Sequence, residues 1–133
     1  MVRTTKLSET KVHTKTEESF SEGLYYFFGG GCDDARALYF FDKTINLDKK
    51  HYWAHYCKGM ILFFNGNLEE AEKCLKTVVE IHWAHTPAWS NLAGIQTKLG
   101  KTCEAENSRK MTFLTNQAYT EEIKLLNQAA KSI

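Results

Sequence analysis

The chain has a single proline, Pro87, among its 133 residues, and few runs of β-branched residues. That scarcity argues against a β-rich fold, whose strands favour such residues, and points to an all-helical protein. Long apolar runs are absent too. Without about 18 consecutive apolar residues there is no membrane-spanning helix, and the polar opening MVRTTKLSETKVH is neither a secretory nor a transit signal. Neither sign of charge is in excess. A net charge of +1 with 25% charged residues provides no domain-wide attraction for nucleic acid or an anionic membrane. Cys32, Cys57, Cys74 and Cys103 form no CxxC pair, which argues against a disulfide framework or a zinc site and makes them ordinary thiols. These absences together predict a cytoplasmic protein.

What is present is apolar periodicity, with 43% hydrophobic residues and hence material for a real core. The clearest stretch is GNLEEAEKCLKTVVEI, Gly66 to Ile81. Leu68, Ala71, Leu75, Val78 and Val79 recur at spacings of three and four, while Glu69, Glu72, Lys73, Lys76 and Glu80 fall on the other side. Gly66 ends the preceding element, Asn67 stands at the cap position, and Glu70 completes a capping box. The pattern has copies. At a period of 34, Ala71 aligns with Ala37 and Ala105, and Gly66 with Cys32 and Gly100.

Taken in order, residues 1–16 read as a mobile, weakly basic arm, with Arg3, Lys6, Lys11 and Lys15 against Glu9. Thr14 and Glu17 suggest a helix start. A first unit, Glu18 to His51, has a leading helix stopped by Gly29, Gly30 and Gly31 and a second opened by Asp33 and Asp34. Those two carboxylates occupy the place a phosphate would need, so the glycines do not form a nucleotide loop. The second unit, Tyr52 to His85, contains the unbroken apolar run Met60 to Phe64, which cannot all face one side of a helix. The third unit, Thr86 to Tyr119, places Thr86 as cap and Pro87 at the first helical position. Beyond it, residues 120–131 carry Ile123, Leu126 and Ala130 on one stripe and read as a helix covering the open end.

A 34-residue unit of two helices resembles the tetratricopeptide repeat. The resemblance rests on Leu24, Trp89 and Leu92 in first helices and on Gly59 and Ala93 at the small position. Gly66 and Gly100 at the turn and Ala37, Ala71 and Ala105 in second helices complete it. Lys49, Trp83 and Gln117 stand where the family often has proline, and Cys32 where it has the turn glycine. It implies a right-handed α-solenoid over residues 17–133, with repeats at about 18–51, 52–85 and 86–119 and no insertion between them.

In this family the first helices line a concave groove. Carried across by position, the groove residues are Ser19, Glu22, Tyr26, Gly29 and Gly30 in the first repeat. They are Trp53, Tyr56, Met60, Phe63 and Phe64 in the second, and Pro87, Ser90, Gly94, Thr97 and Lys98 in the third. The site expected to hold a partner peptide is therefore Tyr26, Trp53, Tyr56, Met60, Phe63, Phe64 and Lys98. Members that clamp the acidic C-terminus of heat-shock chaperones use lysine, asparagine and arginine where Glu22, Tyr26, Cys57, Pro87 and Asn91 stand here, so that specificity is not expected.

The expectation is thus an adaptor or chaperone-like module that binds a protein segment, without cofactor, nucleic acid or membrane. The alternative is a self-associating subunit whose groove is filled by its own arm or by a second copy, as a homodimer. His51, His55, His82 and His85 lack the further ligands of a metal site, and the recurrence of His51 and His85 follows from the repeat. No nucleophile and base share an element and no cofactor fingerprint occurs, so no enzyme is expected.

Overall fold

The computed structural model describes residues 2–29 and 33–132, and within them the chain is six α-helices joined by short turns. They are α1 (Val2–Phe28), α2 (Asp34–Leu47), α3 (Tyr52–Phe64), α4 (Leu68–Ile81), α5 (Thr86–Lys98) and α6 (Thr102–Lys131). Successive helices pack as the antiparallel pairs α1/α2, α3/α4 and α5/α6, stacked into a right-handed solenoid. Gly30, Gly31 and Cys32, named above as helix stop and turn residues, lie outside the described residues.

The turns explain the repeat. Gly66 and Gly100 sit at φ +84° and +77°, a left-handed conformation that side-chain-bearing residues rarely adopt. After each, the chain closes the preceding helix in the same way. The Gly66 N–H donates to Phe63 and that of Asn67 to Leu62, while the Gly100 and Lys101 N–H groups donate to Thr97 and Gln96. These two identical helix stops, one period apart, set the stacking of α3/α4 and α5/α6.

Two apolar clusters fill the stack. Ala37, Phe41, Ala54, Cys57 and Ile61 join α2 to α3, and Ala71, Leu75, Val78, Ala88, Leu92 and Ile95 join α4 to α5. Gly59 admits the second helix of its own pair, since a Cβ there would stand 3.1 Å from that of Cys74. Polar groups tie the third pair on. The buried Glu72 carboxylate accepts a 2.7 Å bond from Lys101 and faces Lys76 at 3.7 Å. Burial pulls the Glu72 pKa up, but the Lys101 bond and the two ammonium charges outweigh it and hold the group below its ordinary value.

Four expectations are corrected. The arm expected over residues 1–16 is helical from Val2 onward, and Thr14 does not cap: its hydroxyl donates to the Thr10 carbonyl inside α1. Nothing in this stretch is a glycine or proline that would stop a helix running backward from residue 17. The covering helix expected at residues 120–131 is the uninterrupted continuation of α6, because no glycine or proline separates the segments. Asn67 occupies the cap position of α4 without a side-chain cap bond. Finally, α5 is capped by His85 and not by Thr86, which is already helical and whose hydroxyl donates to Thr115 on α6.

The first pair also departs from the period. α3 and α5 end one period apart, at Phe64 and Lys98, but α1 ends at Phe28, two positions before the period would place its end. Starts of α2, α4 and α6 keep the period, at Asp34, Leu68 and Thr102. The first turn therefore holds two extra residues, contrary to the expectation of no insertion. Every position of α1 shifts by two. Gly23, and not Tyr25, occupies the slot of Gly59: it is buried against Phe41 as Gly59 is against Leu75, the counterpart of Phe41 in the next repeat.

Candidate functional site

The residues expected to form the groove lie on the first helix of each pair, and α3 carries most of them. Ile61 and Phe64 lie one turn apart on α3, yet only Ile61 is covered by a neighbouring helix. Ile61 and Cys57 point into the cluster with α2, where burial pushes the Cys57 thiol up to about 12. Phe64 is left 68% exposed and Trp53 44% exposed. Between them Tyr56 and Phe63 are half-buried, and Met60 is half-buried as well. The Trp53 and Tyr56 rings meet edge to face at 5.8 Å, and those of Phe63 and Phe64 at 5.6 Å.

Asn91 and Lys98 of the third pair touch this surface. Asn91 Nδ2 donates to the Tyr56 hydroxyl oxygen at 3.0 Å, which holds that ring in place. Burial raises the Tyr56 pKa, as does the neighbouring Cys57, against a smaller opposing effect of the Asn91 bond. The phenol therefore stays neutral. Lys98, exposed at the end of α5, places Nζ 5.0 Å from the centre of the Phe63 ring. Thus Trp53 and Tyr56 form one ring pair and Phe63, Phe64 and Lys98 a second group, with Met60 on the same helix between them.

Tyr26 does not join them. The two extra residues turn it toward its own partner helix, where its ring stacks on Phe40 at 5.7 Å with the Arg36 guanidinium above it. In the shifted register the first-helix positions equivalent to Trp53, Tyr56, Met60, Phe63 and Phe64 are Glu17, Phe20, Leu24, Phe27 and Phe28. Phe28, 73% exposed, stands in the slot of Phe64, and sequence reasoning misses it. The signal that locates it is Gly23, whose place as the small residue becomes visible once the first turn is allowed to be longer.

Histidines hold the starts of α3 and α5. His51 and His85 each accept a backbone N–H at Nδ1, from Ala54 and Ala88, and so cap α3 and α5. Each also leans on the preceding first helix. His51 lies 4.6 Å from the Phe20 ring with Nε2 3.7 Å from Glu17, and His85 lies 5.0 Å from Tyr56 and 4.8 Å from Trp53. His85 is 5% exposed, its Nε2 has no hydrogen-bond partner, and the rings of Tyr52, Trp53 and Tyr56 surround it. Burial and the neighbouring His82 lower its pKa, so it caps as the neutral ring. These contacts give the histidines a structural task. Among the described residues there is no group of three His, Cys, Asp or Glu side chains placed to hold a metal ion.

A sequence model of the tetratricopeptide repeat matches residues 40–73, which span the end of α2, all of α3 and the start of α4. Comparison with curated proteins finds no match. Among solved structures, MamA is similar with a TM-score of 0.69 and 19% identity over 75% of this chain, which covers 57% of MamA. The second TPR of Spaghetti (RPAP3), bound to the HSP90 peptide SRMEEVD, has a TM-score of 0.71 and 20% identity over 80% of this chain and 98% of its own. The TPR2B domain of yeast Sti1, in complex with pHsp70, has a TM-score of 0.70 and 18% identity over 90% of this chain and 98% of its own. The molecule is thus a right-handed solenoid of three helix pairs. It has the tetratricopeptide-repeat fold, and residues 40–73 match the sequence model of that repeat.

Proposed function

We propose that this protein is an adaptor or chaperone-like module that binds a segment of another protein on the inner face of α3 and α5. The observation that carries the reading is the aromatic row from Trp53 to Phe64, exposed at both ends and half-buried between them, bordered by the cation Lys98. Apolar side chains of this size, left in water beside a flexible methionine, are what peptide-binding surfaces use for anchors. The groups on this face supply contact area and almost no acid or base, which fits binding and not catalysis. No helix among the described residues is long and apolar enough to cross a membrane. The cytoplasmic address expected from the sequence is part of the proposal.

Peptide complexes of the similar RPAP3 and Sti1 domains support the class of activity. They do not transfer the ligand. In the corrected register Phe20 and Leu24 replace Glu22 and Tyr26 at the two first-repeat clamp positions, and neither supplies a cation or an amide. Cys57 is buried against α2, and Asn91 is engaged with Tyr56 and Pro87. An anchor-bearing apolar segment suits this face better than an acidic terminus. Filling of the groove by the chain's own arm is disfavoured, because residues 2–16 continue α1 and leave Trp53 and Phe64 open.

Selection of a displayed random-peptide library on the purified protein tests this. Enriched sequences should carry spaced aromatic or aliphatic residues and should be lost on a Trp53→Ala, Phe63→Ala variant that still melts cooperatively. No enrichment, or enrichment that survives the variant, sinks the proposal.

A further inference from the structure

Both ends of the stack carry helix beyond what the fold uses. Thr16 corresponds to Tyr52, the start of α3, so α1 overhangs from Val2 to Lys15. Thr115 corresponds to Ile81, the end of α4, so α6 overhangs from Asn116 to Lys131. At about 1.5 Å of rise per residue these overhangs are about 21 Å and about 24 Å long. They leave the molecule on the same side: Val12 and Thr16 lie beside Leu47 at the end of α2, and Thr115 meets Thr86 at the start of α5. The α6 overhang is exposed from Asn116 onward, with Tyr119, Ile123 and Leu126 on one stripe. A free helix of that length is marginal in water.

The outer faces of the two ends are complementary in the register of the repeat. Inside the chain, α3 joins α2 through a 2.7 Å bond from Lys58 to Asp42 and through Ala54 against the Phe41 cluster. On the front face of α1, Glu22 stands in the slot of Lys58 and Glu18 in that of Ala54. On the back face of α6, Lys110 stands in the slot of Asp42 and Arg109 in that of Phe41. The bridge that joins two pairs is present at the two ends with its signs exchanged. Among the described residues none of Glu18, Glu22, Arg109 and Lys110 has an ion-pair partner. Three turns outward the pairing recurs: Lys11 lies eleven residues before Glu22, and Glu121 eleven after Lys110, each on the same helical face as its counterpart.

We infer that a second copy of this chain stacks head to tail on the first, its α1 packing antiparallel along α6 of its neighbour and continuing the solenoid. Glu22 then meets Lys110 and Lys11 meets Glu121 between copies, while the two overhangs, of nearly equal length, lie side by side and cover each other. Such an interface is heterologous and does not close on itself, so association proceeds past the dimer. The inner face of α3 and α5 stays open in every copy, so this contact is separate from the peptide surface proposed above.

Sedimentation velocity of the full chain from micromolar to near-millimolar concentration is the test. Wild type should show species larger than a dimer that grow with concentration. Glu22→Lys or Lys110→Glu alone should raise the concentration at half-association about tenfold or more, because like charges then face each other. An equimolar mixture of these two variants should recover association, since each front now matches the other's back. Far-UV circular dichroism checks that both fold, and Lys11→Glu with Glu121→Lys is a second such pair should either not fold. A wild type that remains monomeric, a closed dimer at all concentrations, or a mixture that fails to recover would overturn the inference.

Discussion

Gly23 lies directly against the ring of Phe41: a Cβ built on Gly23 would stand 2.6 Å from Phe41 Cε1. This contact carries the two-residue shift of the first helix, and it fixes how closely α1 and α2 approach. Phe41 is fully buried and cannot swing away. Gly23→Ala should therefore cost about 1–3 kcal/mol as an overpacked contact, in spite of alanine's better helix propensity. Gly94 is the matched control, since a Cβ there meets nothing within 4 Å. Gly94→Ala should stabilise by up to about 1 kcal/mol. Urea unfolding of the two variants gives opposite signs if the register is as described.

His85 predicts an acid-sensitive start of α5. Its pKa is lowered by burial and by His82, so the unfolded chain takes up the proton first as pH falls. The contribution is complete above the ordinary value of 6.5 and is lost as pH drops through the lower folded value. The wild-type urea midpoint should fall between pH 7.5 and pH 5, and that of His85→Asn, which retains a cap acceptor but does not titrate, should fall less. His85→Ala should cost about 1 kcal/mol at neutral pH, the ordinary value of a helix cap.

Glu72 acts in a lower window. Because its pKa is held below the ordinary 4.5, its contribution is present above that value and disappears as pH falls through the folded one. Glu72→Gln keeps the shape and removes the charge that receives Lys101. We expect a loss of about 1.5–3 kcal/mol at pH 7, shrinking toward zero in strong acid. Thermal melts at neutral pH and at pH 3 make the comparison.

Tyr56→Phe removes the acceptor for Asn91 and leaves the aromatic face intact. The expected cost is about 0.5–1.5 kcal/mol, read from the urea midpoint. If the peptide surface works through ring contact, as proposed, this variant should retain enriched peptides that the Trp53→Ala, Phe63→Ala variant loses.

Much of the fold is legible in the sequence. The positive-φ turns at Gly66 and Gly100 announce themselves as glycines at the interval of the repeat, and Ala71 and Ala105 mark where helices approach. Less legible is what depends on counting through an irregular turn. Tyr25 and Gly23 lie two residues apart, and periodicity alone does not say which one faces Phe41. That ambiguity puts Tyr26 into the expected site and leaves Phe28 out. The caps mislead for another reason. Hydroxyl residues are the usual cap acceptors, which favours Thr86, yet the neutral His85 ring offers an equivalent lone pair at Nδ1.

By itself the sequence determined the class of structure: apolar spacings of three and four with one proline specify helices, and the resemblance of their 34-residue period to the tetratricopeptide repeat implies stacked pairs. Tertiary structure decided the register of the first pair and the fate of both ends. A helix continues wherever nothing stops it, and whether residues 116–131 fold back or run on depends on packing partners that local pattern does not contain. The same holds for the α3 run from Met60 to Phe64, whose division into buried Ile61 and open Phe64 was set by the neighbouring helices.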